Sequence, residues 1–118
     1  MKILILEDDR LRARVFIDNF GGSDLKITES AFVAIEYLKG EVFDFIFLDN
    51  DLGLRNGEGL DVADFLQQNP TNSNNQAVIL IHSWNPVAVD AIKAKLPSAV
   101  SIPFNVEFFN SLDLTTLN

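Results

Sequence analysis

At 118 residues, 47% of them apolar, the chain has the length of one domain with a core of its own. Its 17 acidic against 9 basic residues give a net charge of −8, which argues against an electrostatic grip on nucleic acid or an anionic membrane. No cysteine and a single histidine exclude disulfides, thiolate zinc sites, a Cys nucleophile and multi-histidine metal centres, so any metal is held mainly by oxygen, as Mg²⁺, Mn²⁺ and Ca²⁺ are. No apolar run approaches the roughly 18 residues that cross a bilayer. The run from Ile3 to Leu6 ends in acids instead of the small residues of a signal peptide. The expectation is a cytoplasmic protein with a single domain over 1–118.

Ile3 to Leu6 reads as a strand buried on both faces. Leu11, Val15, Phe16 and Phe20 recur at helical spacing until Gly21-Gly22 stops them. Leu25 to Thr28 is a short strand, and Ala31, Ile35 and Leu38 mark a second helix that Gly40 suits as a C-terminal cap. Val42 to Leu48 is the third strand and Asp49 to Gly57 an acidic, glycine-bearing loop. Leu60, Ala63, Leu66 and Gln67 give a third helix ending before Pro70. Asn69 to Asn75 reads as an exposed polar loop. Ala77 to Ile81 is the fourth strand. Asn85-Pro86 starts a helix, Asn capping the free N–H groups and Pro fitting the first turn. That helix runs through Val87, Ala88, Ala91 and Ile92 towards Pro97. Ala99 to Ile102 is a fifth strand, and Asn105 caps a last helix with Phe108, Phe109 and Leu112 turned inward.

Five alternations of strand and helix imply a doubly wound α/β fold with a parallel sheet and helices on both faces. In such sheets ligands gather outside the carboxyl ends of the strands. The residues there are Glu7, Asp8 and Asp9, then Asp49 and Asp51, then His82 and Ser83, then Ile102 to Phe104. Carboxylates from two strand ends, Asp8 and Asp49 above all, repel unless a cation joins them, which points to a divalent metal site.

Ile3-Leu4-Ile5-Leu6-Glu7-Asp8-Asp9, Phe45-Ile46-Phe47-Leu48-Asp49-Asn50-Asp51-Leu52, Gly59-Leu60-Asp61-Val62 and the pair Pro103-Phe104 together resemble a response-regulator receiver domain over nearly the whole chain. The resemblance implies a five-stranded parallel sheet in order 2-1-3-4-5. It implies Mg²⁺ (or Mn²⁺) held by Asp8, Asp49 and Glu7, with Asp8 ahead of Glu7 as direct ligand. It also implies Asp49 as phosphoacceptor from a histidine kinase or other signalling protein, and Ser83 as the hydroxyl that senses the phosphoryl group. Three positions depart from the pattern. Ile102 stands where receivers carry a lysine, Gly53 where many have proline, and Trp84 where a small residue is usual. No nearby basic residue obviously replaces the lysine. Leu48-Asp49-x-Asp51-Leu52 and His82-Ser83-x-Asn85-Pro86 are similar to an atypical receiver group predicted to process cyclic phosphates.

Single residues carry competing readings. His82, the one side chain that titrates near neutrality unperturbed, is a general acid/base or a satisfied core histidine. If Ser83 faces Asp49, strand alternation turns His82 away, unless the strand has already ended. Asp51 shares Asp49's side or is a turn residue before Gly53. Ser83 and Asn85 also suit the start of the next helix. Arg10 pairs with phosphate or is solvated, and Trp84 is a lid or a partner-facing anchor. Strand five is expected to be apolar to its end, with Ile102 packed near the acidic site. The functional expectation is an atypical stand-alone receiver handling phosphoryl groups at Asp49. A metal-dependent phosphoesterase using Asp51 or His82, and a phosphorylation-independent pseudo-receiver that binds proteins, are the alternatives.

Overall fold

The computed structural model describes residues 1–117. Its elements are β1 (Lys2–Leu6), α1 (Arg10–Phe20), β2 (Asp24–Thr28), α2 (Ala31–Gly40), β3 (Phe45–Leu48), α3 (Gly59–Gln68), β4 (Val78–Ile81), α4 (Pro86–Lys95), β5 (Val100–Ser101) and α5 (Val106–Ser111), with single 3-10 turns at Ser73–Gln76 and Leu114–Leu117. All strand pairs are parallel and the sheet order is β2-β1-β3-β4-β5. No helix among the described residues is long and apolar enough to cross a membrane.

Alternation along the strands divides the core into two layers. Leu4, Leu6, Ile46, Leu48, Ile79 and Ile81 pack against Ala34, Leu38, Val62, Leu66 and Ile92 of α2, α3 and α4. Ile3, Ile5, Phe45, Phe47 and Leu80 pack against Phe16 and Phe20 of α1 and Phe109 of α5. The rings in this second layer meet edge-on or offset, with Phe16–Phe47 and Phe16–Phe109 centroids 5.1 and 5.2 Å apart.

Several boundaries differ from the sequence reading. Strand three begins at Phe45, since Val42 is exposed and Asp44 turns to the amide of Lys2. Gly40 lies inside α2, which is capped one residue later through the Glu41 amide. Leu11 is exposed, because the inward stripe of α1 runs through Phe16 and Phe20 instead. Phe108 is nearly half exposed: neighbouring helix residues point about 100° apart, and Phe109 takes the inward direction. The polar segment 69–75 is not simply an exposed loop. Asn74 is fully buried there, accepting from the Phe43 amide at 2.7 Å and donating to the Leu38 and Glu41 carbonyls at 3.1 and 2.8 Å. It thereby satisfies carbonyls that the end of α2 leaves open. Strand five shrinks to two paired residues, as befits an edge, and ends on Ser101, not on an apolar residue. The amides of Ile102 and Phe104 still bond to Ile81 and His82, so the chain keeps its course past the strand.

Candidate functional site

Register builds the site. Leu48 of β3 pairs with Leu6 of β1 on one side and with Ile81 of β4 on the other. The amide of Asp49 then bonds to the Leu6 carbonyl at 3.1 Å, and that of His82 to the Leu48 carbonyl at 3.0 Å. Glu7, Asp49 and His82 thus form the next row of the sheet and share the face of Ile5, Phe47 and Leu80. One ligand atom from each lies within 4.8 Å of the others, and all three residues are buried.

Burial governs the charges of this row. It pushes Asp49 up to about 6, with the Glu7 charge adding to the rise and His82 opposing it. Burial also raises Glu7, against the Asp9 amide and the Arg12 guanidinium. It lowers His82 to about 4, so the imidazole is neutral. His82 Nε2 lies 3.0 Å from Glu7 Oε1, and Nδ1, buried among aromatic rings, has no partner among the described residues. We assign the proton to Nε2, donating to Glu7, which leaves Nδ1 a bare lone pair instead of an orphaned donor.

Above this row opens a cleft of about 450 Å³ lined by Asp8, Asp9, Arg12, Asp49, Asp51, Ser83, Trp84 and Asn85. Asp9 faces it as the N-cap of α1, accepting from the Leu11 and Arg12 amides. Asn85 caps α4 by accepting from Ala88, with Pro86 in the first turn. Ser83 Oγ accepts from the Asn85 amide at 3.1 Å. Beside Asp49, buried Asn50 accepts from the Leu60 amide and donates to Asp51, tying the loop to α3. Gly53 and Gly57 take positive φ in that loop, a region open to glycine at little cost. Gly59 permits α3 to abut the Asp49 backbone, where a β-carbon would overlap the Asp49 carbonyl.

The structure brings together Asp8, Asp49, Asp51 and Ser83 in the cleft and sets Glu7 and His82 in the row beneath. Strand β4 has ended at Ile81, the case in which His82 and Ser83 need not oppose: His82 keeps the face of Leu80 beside Glu7 and Asp49, and Ser83, beyond the strand, lines the cleft. Arg10 lies outside the cleft, along a groove with Glu7, Thr28 and Glu29. Ile102 is partly buried against the α1/α5 layer and lines a groove with Asn105 and Phe108, so it does not pack in the acidic cleft.

Sequence reasoning missed Arg12. Its guanidinium stands 5.0 Å from the Trp84 ring, 5.3 Å from the Phe104 ring and 4.0 Å from Glu7 Oε1. The signal was present in its spacing. Arg12 precedes the inward-facing Phe16 by one helical turn, which places it on the sheet side of α1 at the carboxyl edge.

This fold and site define a receiver domain of the response-regulator type. The model of the family described as "Cyclic-phosphate processing Receiver domain" matches residues 2–98, and the chain belongs to that family. No curated protein matches the chain. The phosphorylated cyanobacterial phytochrome response regulator RcpA is similar in fold, with TM-score 0.73 and 19% identity over 92% of this chain and 88% of that one. The Mn²⁺-bound response regulator Rcp1 gives 0.71 and 20%, over 92% and 88%. A receiver domain from Rhodospirillum rubrum gives 0.71 and 21%, over 99% and 94%.

Proposed function

We propose that this chain is an atypical receiver of phosphorelay-type signalling that handles phosphoryl groups at Asp49, with a divalent cation held by Asp8 and Asp49 and Glu7 behind them. The observation that carries the reading is the position of Asp49. It is buried in a row with Glu7 and His82, yet opens into a cleft whose walls are Asp8, Asp51 and Ser83. The donor set fits a hard cation such as Mg²⁺ or Mn²⁺, being made of carboxylate oxygens. Burial, with the Glu7 charge adding to it, pushes Asp49 up to about 6, and a bound cation favours the ionised carboxylate against both. Rcp1, of similar fold, was solved with Mn²⁺ bound.

The cation supplies charge neutralisation to the phosphoryl oxygens. Asp49, ionised at neutral pH, attacks phosphorus in line as the bond to the donor breaks. Ser83 stands on the adjoining wall to donate its hydroxyl proton to one oxygen. A histidine kinase or another signalling protein supplies or receives the group. Glu7, pinned by His82 and the Asp9 amide, keeps the floor of the site fixed.

A second reading, hydrolysis of cyclic phosphates, is favoured by the family's description and by Asp51. That carboxylate is exposed on the cleft wall, where it can take a proton from water, whereas His82 has no exposed surface and is engaged by Glu7. Incubation with Mg²⁺ and either acetyl phosphate or a cyclic nucleoside phosphate, followed by intact mass and phosphorus NMR, tests both. A phosphoryl adduct present in the wild type and absent in Asp49→Asn supports the first reading. Ring opening lost in Asp51→Asn supports the second. Silence with both compounds overturns the two together.

A further inference from the structure

Charge counting leaves the proposed site one cation short. Asp8, Asp49 and Asp51 face a phosphoryl group that is itself anionic, and one divalent ion does not balance them. Ile102 cannot help, since it is apolar and lines a different groove. Among the described residues that line the cleft, Arg12 alone is basic.

We propose that Arg12 binds the phosphoryl oxygens, taking the part that a strand-five lysine would play; the proposal rests on the phosphoryl-handling reading above. The guanidinium sits over two rings, those of Trp84 and Phe104, at 5.0 and 5.3 Å. The two rings are fixed to one another, because the Trp84 indole N–H donates to the Phe104 carbonyl at 2.9 Å. Arg12 thus arises from α1 and is clamped by the turns after β4 and β5. Its nearest carboxylate among the described residues, that of Glu7, is 4.0 Å away, beyond hydrogen-bond distance, so the forked donors remain available to a ligand. A planar guanidinium both stacks on aromatic faces and grips phosphate with two parallel hydrogen bonds, which a lysine cannot do. Trp84 accordingly serves as a positioning residue.

Calorimetric titration of the full chain with beryllofluoride in saturating Mg²⁺, beside Mg²⁺ alone, separates this role from mere support of Glu7. Arg12→Gln is expected to weaken beryllofluoride binding about tenfold or more. Mg²⁺ alone is expected to bind equally or more tightly, because a repelling cation has gone. Arg12→Lys should recover part of the loss, and Trp84→Leu should fall between. Wild-type beryllofluoride affinity in Arg12→Gln overturns the proposal, as does an equal loss of Mg²⁺ affinity. If Arg12→Gln does not fold, Arg12→Lys and Trp84→Leu must each weaken the anion while sparing Mg²⁺, and unchanged affinity in both overturns it. Failure of the underlying reading shows elsewhere, in a wild type that binds no beryllofluoride with Mg²⁺; failure of this inference shows only in the variants.

Discussion

His82 and Asp49 titrate in opposite senses, and the site carries a pH signature as a result. Asp49 is raised to about 6 from 3.8, so the folded state holds its proton more tightly than the unfolded chain. That stability is fully present below 3.8 and is lost as pH rises through about 6. His82 is lowered from 6.5 to about 4, so its stability is present above 6.5 and is lost as pH falls through about 4. In the metal-free wild type the two slopes oppose across the overlapping window. His82→Gln should therefore become more stable, relative to wild type, between pH 7 and 4.5. Asp49→Asn should become less stable over the same interval, each by on the order of 2 kcal/mol. Urea midpoints at the two pH values measure this, and parallel profiles for the two variants would contradict the assignment. Gly59 makes a steric prediction. A methyl there overlaps the Asp49 carbonyl, so Gly59→Ala should cost roughly 1–3 kcal/mol and weaken Mg²⁺ binding, both measurable on one preparation. At this scale the sequence disclosed the acids because their types and strand-end positions suffice. It hid how Ser83 joins the corner that His82 occupies, which depends on β4 stopping at Ile81, and the clamp on Arg12, whose rings come from residues more than seventy positions away.

The connection from α3 to β4 shows how an element acquires a role its composition conceals. Residues 69–75 carry the polarity of a solvated loop, and Pro70 does end α3 before it. Yet Asn74 enters the core and holds the end of α2 and the approach to β3 through three hydrogen bonds. Asn72 adds a fourth, donating to the Leu38 carbonyl at 3.0 Å. Asn74→Ala strands buried backbone groups and should lower stability by about 2–4 kcal/mol in urea unfolding. Asn75→Ala serves as the comparison. It is less buried and its side chain bonds only to the Asn69 and Asn72 carbonyls of the same connection, and it should cost under about 1 kcal/mol. Equal losses would place the stability in the turn as a whole. A buried asparagine of this kind cannot be told from its neighbours by type, since what distinguishes it is the geometry of α2's last carbonyls.

Across the whole molecule, the parallel sheet was legible because strands buried on both faces read as continuous apolar runs separated by helical spacing. Ile3 to Leu6 and Phe45 to Leu48 are uninterrupted, and their pairing follows from the alternation. The last strand was less legible. Val100–Ser101 is held by two partners and by the onward amides of Ile102 and Phe104, so its short length reflects an edge position that the run from Ala99 to Ile102 does not reveal. The same parallel register aligns Glu7, Asp49 and His82 in one row, and it ties fold to proposed function, because any loss of register disperses the carboxylates. Cation binding at Asp8 and Asp49 is measured by calorimetric titration of Mg²⁺ into the wild type, Asp49→Asn, Asp8→Asn and His82→Gln. Saturable binding of one ion is expected in the wild type and in His82→Gln, with binding at least about tenfold weaker in each aspartate variant. Equal affinity across the four proteins, or no binding by the wild type, would contradict it.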